Sequence, residues 1–100
     1  MNDTKWEEIH ESFLNVELYD GVKIMWMTKS VDGYICEWDC TWTHFKTDPP
    51  LWKDTEWLKI KLTPENRKLV IGILKKIHVP GEVTETEAII YGYRQDVDYI

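Results

Sequence analysis

The sequence is short of the residues on which most enzyme chemistry is built. Serine occurs only at Ser12 and Ser30, and neither sits in a nucleophile motif. The glycines are scattered singly, so no glycine-rich loop is present to cradle a phosphate. The amino terminus, Met-Asn-Asp-Thr-Lys-Trp-Glu-Glu, lacks the apolar stretch of a signal peptide. The longest apolar run, Leu69-Val70-Ile71-Gly72-Ile73-Leu74, falls far short of the ~20 residues that a membrane span needs. Basic residues are outnumbered, 12 Lys and Arg against 18 Asp and Glu, for a formal charge of −6. That balance speaks against nucleic acid and against anionic lipid, whose binders present clustered cations. These shortages predict a cytoplasmic protein that is not an enzyme and takes no cofactor or metal.

What is present suits one globular domain spanning residues 1–100, with 43% hydrophobic and 30% charged residues. The aromatic content is high: 6 Trp, 5 Tyr and 2 Phe. A packed tryptophan removes ~150–250 Å² of surface from water, so a small core can be filled with few of them. The same residue is favoured in binding hot spots.

Periodicity sets out the elements. Residues 4–15 predict a helix, with Thr4 as N-cap, Glu7 completing a capping box, and Trp6, Ile9, His10, Phe13 and Leu14 on one stripe. Tyr19-Asp20-Gly21 predicts a turn. Val22–Met27 predicts a strand that carries Val22, Ile24 and Trp26 on one face and Lys23, Met25 and Met27 on the other. Ser30-Val31-Asp32-Gly33 is a hairpin signal, because Asp-Gly supplies the positive φ such turns require. Tyr34–Trp42 alternates strictly, with Tyr34, Cys36, Trp38, Cys40 and Trp42 on one side. Thr47-Asp48-Pro49-Pro50 predicts a loop. Residues 56–62 place Leu58, Ile60 and Leu62 on one face and Trp57, Lys59 and Lys61 on the other. Thr63 and Pro64 open a second helix with Leu69, Val70, Ile73, Leu74 and Ile77 inward, ended by Pro80-Gly81. Residues 84–93 predict a last strand. The fold class is therefore α+β in two layers, ordered α-β-β-β-α-β. It is an antiparallel meander with both helices on one face, and a fourth strand after the second helix runs parallel to the third.

Three constellations invite chemistry, and each has a plainer reading. Cys36 and Cys40 on one strand lie ~13 Å apart, too far for a disulfide or one tetrahedral zinc, which predicts free, buried thiols. His44 continues that spacing and fails for the same reason. Glu37 and Asp39 share a strand face ~7 Å apart, a separation open to inverting glycoside hydrolysis beside tryptophans. The plainer reading is a solvated face with lysines across the strands. Residues 59–76 hold six Lys and Arg and one Glu, but Lys59 and Lys61 face away from Arg67, Lys68, Lys75 and Lys76, so no continuous basic stripe forms.

Trp6 in an N-terminal helix, followed much later by Glu56-Trp57-Leu58-Lys59-Ile60, resembles a group of small bacterial domains of unknown function. Small acidic α+β proteins of similar plan include immunity proteins, which bind and block a cognate toxin. The resemblance implies a bacterial cytosolic binding role and carries over no catalytic residue. The expected site follows from the strand faces. If the helices cover one side of the sheet, Met25, Met27, Ile35 and Trp57 remain on the other among charges, the anatomy of an interface. The expected partner is another protein or a second copy of the chain.

Overall fold

The structure, a computed structural model, describes residues 1–46, 52–94 and 96–100. The expected loop at residues 47–50 lies outside them. The observed order is α1 (Asp3–Asp20), β1 (Trp26–Ser30), β2 (Ile35–Asp39), a short 3-10 helix (Trp42–Lys46), β3 (Thr55–Lys61), α2 (Arg67–Ile77), β4 (Gly81–Val83) and β5 (Glu87–Tyr91). The protein is α+β, with helix, strands, helix and strands in the expected succession. All five strands form one antiparallel sheet in the order β2-β1-β3-β5-β4.

Local chemistry explains the boundaries. Asn2, not Thr4, caps α1: its side chain accepts from the Lys5 N–H at 2.9 Å. The helix runs five residues past the expected end, because Tyr19-Asp20-Gly21 is its C-terminal cap and not a separate turn. Gly21 adopts φ +66° and returns its N–H to the Val16 carbonyl. At α2, Thr63 and Asn66 exchange bonds, Asn66 N–H to Thr63 Oγ1 at 3.1 Å and Thr63 N–H to Asn66 Oδ1 at 2.8 Å. This pair has capping-box form but closes a turn ahead of the helix: α2 begins at Arg67 with Asn66 as its N-cap, three residues later than the cap expected at Thr63. The helix stops at His78 in a left-handed conformation, two residues before Pro80.

Two corrections to the strand plan share a cause, local side-chain bonds that the alternation pattern cannot show. The chain does not form a three-strand meander: β1 lies between β2 and β3. The strand expected over Tyr34–Trp42 ends at Asp39, whose Oδ1 accepts from the Thr41 N–H at 2.8 Å and turns the chain out of the sheet. Trp42 then enters the 3-10 helix instead of extending β2. The last strand is likewise a hairpin. Thr84 Oγ1 accepts from the N–H groups of Thr86 and Glu87, closing a tight turn between β4 and β5. The strand expected over residues 84–93 is β5, and it runs antiparallel to β3, not parallel; only the unexpected β4, into which α2 leads, has the direction of β3. The hairpin then folds β5 into the gap between them, so β3's neighbour is antiparallel.

Both helices pack on one side of the sheet around a single core. Trp26, Ile60 and Ala88 form one inward row across β1, β3 and β5, and Leu58 and Ile90 lie in the next. The largest fully buried side chains are aromatic: Trp6, Trp26, Trp42, Phe13 and Phe45. Trp42 stacks on Phe13 at 4.7 Å, and Phe45 meets both Trp26 and Trp42 edge-on at 5.4 Å. Of the inward stripe expected for α2, Val70 and Leu74 are fully buried, Ile73 and Ile77 are half-buried, and Leu69 is exposed. The core is therefore centred under α1 and the 3-10 helix, not under α2.

Leu74→Ala should lower unfolding free energy by ~2–5 kcal/mol in a urea titration, the range for emptying a packed leucine site. Ile73→Ala should cost clearly less. The opposite ranking would mean that the faces of α2 are reversed.

Candidate functional site

The sheet's second face is built by register. Opposed residues of an antiparallel pair point to the same side. Met27 pairs with Lys59, which pairs with Ile89, and Lys29 pairs with both Ile35 and Trp57, which in turn pairs with Tyr91. Met25 precedes β1 and its carbonyl accepts from the Lys61 N–H at 2.9 Å, which continues the same alternation. Met25, Met27, Ile35 and Trp57 thus lie together on the face away from the helices. Met25, Met27 and Trp57 are half-buried, and Ile35 is 41% exposed.

The face holds more than the strand pattern indicated. Between Trp26 and Thr28 the register with β2 slips by one residue. The bulge separates Trp38 from the inward side of Cys36 and brings it near Lys61, whose Nζ stands 5.7 Å from its ring centre. Ile89 and Tyr91 join because Ala88 and Ile90 take the core side of β5. That alternation was available in the sequence, but the strand's pairing was not. Lys59 lies over the Trp57 ring at 4.6 Å and Arg94 over Tyr91 at 4.7 Å. At one end Glu56, Trp57, Lys59, Ile89, Tyr91, Tyr93 and Arg94 line an open groove of about 420 Å³. Lys29 pairs with Glu56 at 3.1 Å on its margin.

Trp52 and the C-terminal residues 96–100 make their contacts away from this face. Trp52 packs against the core, 6.2 Å from Phe45 and 6.3 Å from His10. The C-terminal residues lie along β4: Gly81 N–H donates to Asp98, Ile100 N–H donates to Val79, and Tyr99 stacks on His78.

The other candidates resolve differently. The bulge falls between Cys36 and Asp39, so Glu37 and Asp39 no longer share a face by simple alternation. Asp39 is also committed: its Oδ2 meets His44 Nδ1 at 2.8 Å, while Oδ1 holds Thr41. Burial alone would raise its carboxyl, but the His44 hydrogen bond, the Thr41 and Cys40 N–H groups and the His44 charge outweigh it and hold the carboxyl below the ordinary value. Cys36 and Cys40 are free, as expected, but half-buried instead of buried, since β2 is an edge strand and Cys40 lies beyond its end. Burial, with Asp39 and Glu37 nearby, pushes the Cys36 thiol up despite a Thr28 hydrogen bond. Among the described residues there is no group of three or more His, Cys, Asp or Glu that could hold a metal. No described helix is long and apolar enough to cross a membrane.

Fold and site together define a small α+β sheet protein with helices on one face and a cation-studded aromatic face opposite. The chain belongs to a family of unknown function (DUF6678), whose family model matches residues 1–97. No curated protein and no solved structure matches it.

Asp39→Asn should lower the melting temperature at neutral pH. A depressed carboxyl stabilises the fold above its unfolded value, near 3.9, and that contribution is lost as pH falls through the folded value. The gap between variant and parent should therefore close on acidification. A gap that persists unchanged at pH ~2 would show that the ionised carboxylate is not what matters.

Proposed function

We propose that the protein is a non-enzymatic protein-binding module that uses the uncovered face of its sheet, in the manner of a bacterial cytoplasmic immunity protein. The observation that carries this reading is the gathering of Met25, Met27, Ile35 and Trp57, with Trp38, Ile89 and Tyr91, on one face outside the core. Methionine and aromatic side chains are the adaptable and the anchoring elements of binding surfaces. Lys59, Lys61 and Arg94 above the rings supply the charged margin that excludes non-partners. The reading of Glu37 and Asp39 as a hydrolytic pair has less support, because a general acid needs a raised carboxyl and Asp39 is lowered and bonded.

The test is a Trp57→Ala/Met27→Ser double variant titrated against the purified product of the gene adjacent to its own. Binding should be lost while the melting temperature stays near that of the parent. A collapse in stability would make the face internal, and binding that survives the double change would move the site elsewhere. If the parent does not bind, the immunity-like form of the proposal fails.

A further inference from the structure

The helix layer carries a second surface, independent of the sheet face, and its charges are sorted. Within α1 stand Asp3, Glu7, Glu8, Glu11, Glu17 and Asp20 against Lys5 alone. Within α2 stand Arg67, Lys68, Lys75 and Lys76 and no acid. The helices run antiparallel, since Lys5 at the start of α1 donates to the His78 carbonyl at the end of α2. Between them lies an open groove of about 540 Å³. Glu8 and Glu11 stand on one wall, Lys76 on the other, and Val16, Leu69 and Ile73 supply its apolar lining.

Three features show that this groove is unfinished within one chain. The ion pairs among the described residues are Lys29–Glu56 and His44–Asp39, so Glu8 and Glu11 are not matched with Lys76 across it, nor is Lys75 on the outer side of α2 paired. The apolar surface does not close at its far end: Leu18 is 61% exposed, Tyr19 82% and Leu69 38%. Tyr19 continues the row of Ser12 and Asn15 at helical spacing, so it extends the wall that those residues form. Finally, Gly72 sits in the middle of α2 beside the groove, on the outer side of the helix with Lys68 and Lys75, where glycine weakens a helix, yet a Cβ there would meet nothing within 4 Å. Packing within the chain does not call for a glycine at that point; the close approach of another backbone would.

We infer that this face pairs with the same face of a second copy, about a twofold axis parallel to the two helices. Such an axis sets α1 of one chain over α2 of the other. Because the helices are antiparallel, the register also agrees. Glu8 and Glu11 then oppose Lys75 and Lys76 of the other copy, and Tyr19 opposes Leu69. The alternative twofold axis, perpendicular to the helices, would place acid over acid and base over base, and is disfavoured by like-charge repulsion. The occupant is thus a second copy because the surface is complementary to itself.

The experiment is sedimentation equilibrium on the full chain and on two charge variants, E8K/E11K and K75E/K76E. The parent should be a dimer that weakens as salt rises. Each variant alone should be monomeric or at least about tenfold weaker in self-association, since like charges now face each other. An equimolar mixture of the two should restore a dimer, because each reversed pair then meets its complement. A parent that stays monomeric at high micromolar concentration overturns the inference, as does a dimer that both variants leave intact. A dimer abolished instead by Trp57→Ala/Met27→Ser would place self-association on the sheet face and also overturn it. Circular dichroism of each variant confirms folding, and restoration in the mixture cannot be produced by a misfolded chain. Failure here leaves the sheet-face reading untouched, since that reading is judged by partner binding alone.

Discussion

The position of Trp42 governs the rest of the fold. Its indole Nε1 donates to the Ile24 carbonyl at 2.9 Å, its backbone N–H donates to Glu17 Oε1 at 2.7 Å, and its ring stacks on Phe13. One residue thereby ties α1, the approach to β1 and the 3-10 helix into the same aromatic cluster. To deliver Trp42 there, the chain must leave β2 after Asp39 and pass over the helix side of the sheet. β3 joins on the far side of β1, which makes β1 central. A buried aromatic whose N–H is satisfied costs no unpaired polar group, so this anchor is both apolar and specific.

The concentration of aromatic bulk on the helix side has a consequence for the other face. Trp6, Trp26, Trp42, Phe13 and Phe45 fill the core, and Trp38 and Trp57 are left on the sheet's second side with lysines over their rings. Exposed cation–π pairs are worth only about 0.5–1 kcal/mol each, so these contacts shield the rings without burying them. The edge strand β2 is short, bulged and charged at Glu37 and Asp39, which disfavours strand addition. The broad face, not the edge, is the surface the sheet has to offer.

Much of this was legible from the sequence, and the failures have physical causes. Period-two alternation placed Trp26, Leu58 and Ile60 inward and Met27, Lys59 and Trp57 outward, because both faces of β1 and β3 differ sharply in polarity. Thr63 marked the approach to α2, but the helix starts three residues later than expected, at Arg67 after Asn66. Alternation failed where one side-chain oxygen bends the backbone: Asp39 ends β2, and Thr84 makes a hairpin where a single strand over residues 84–93 was expected. The turn segment Val83-Thr84-Glu85-Thr86-Glu87 contains none of the Gly, Pro, Asn or Asp that usually marks such a turn. The bulge that brings Trp38 to the open face leaves no composition signal at all. Candidate site residues were therefore found on the regular strands, and those positioned by irregular backbone were missed.

Hydrogen–deuterium exchange of the tryptophan indole N–H groups, followed by NMR, tests the division of the sheet into one closed and one open face. The indole of Trp42, bonded to Ile24 within the core, should be the slowest to exchange, with Trp26, bonded to the Thr41 carbonyl at 3.3 Å, also protected. Trp57 should exchange orders of magnitude faster under the same native conditions. Equal protection of Trp57 and Trp42 in the isolated monomer would show that both faces are covered and would contradict the account.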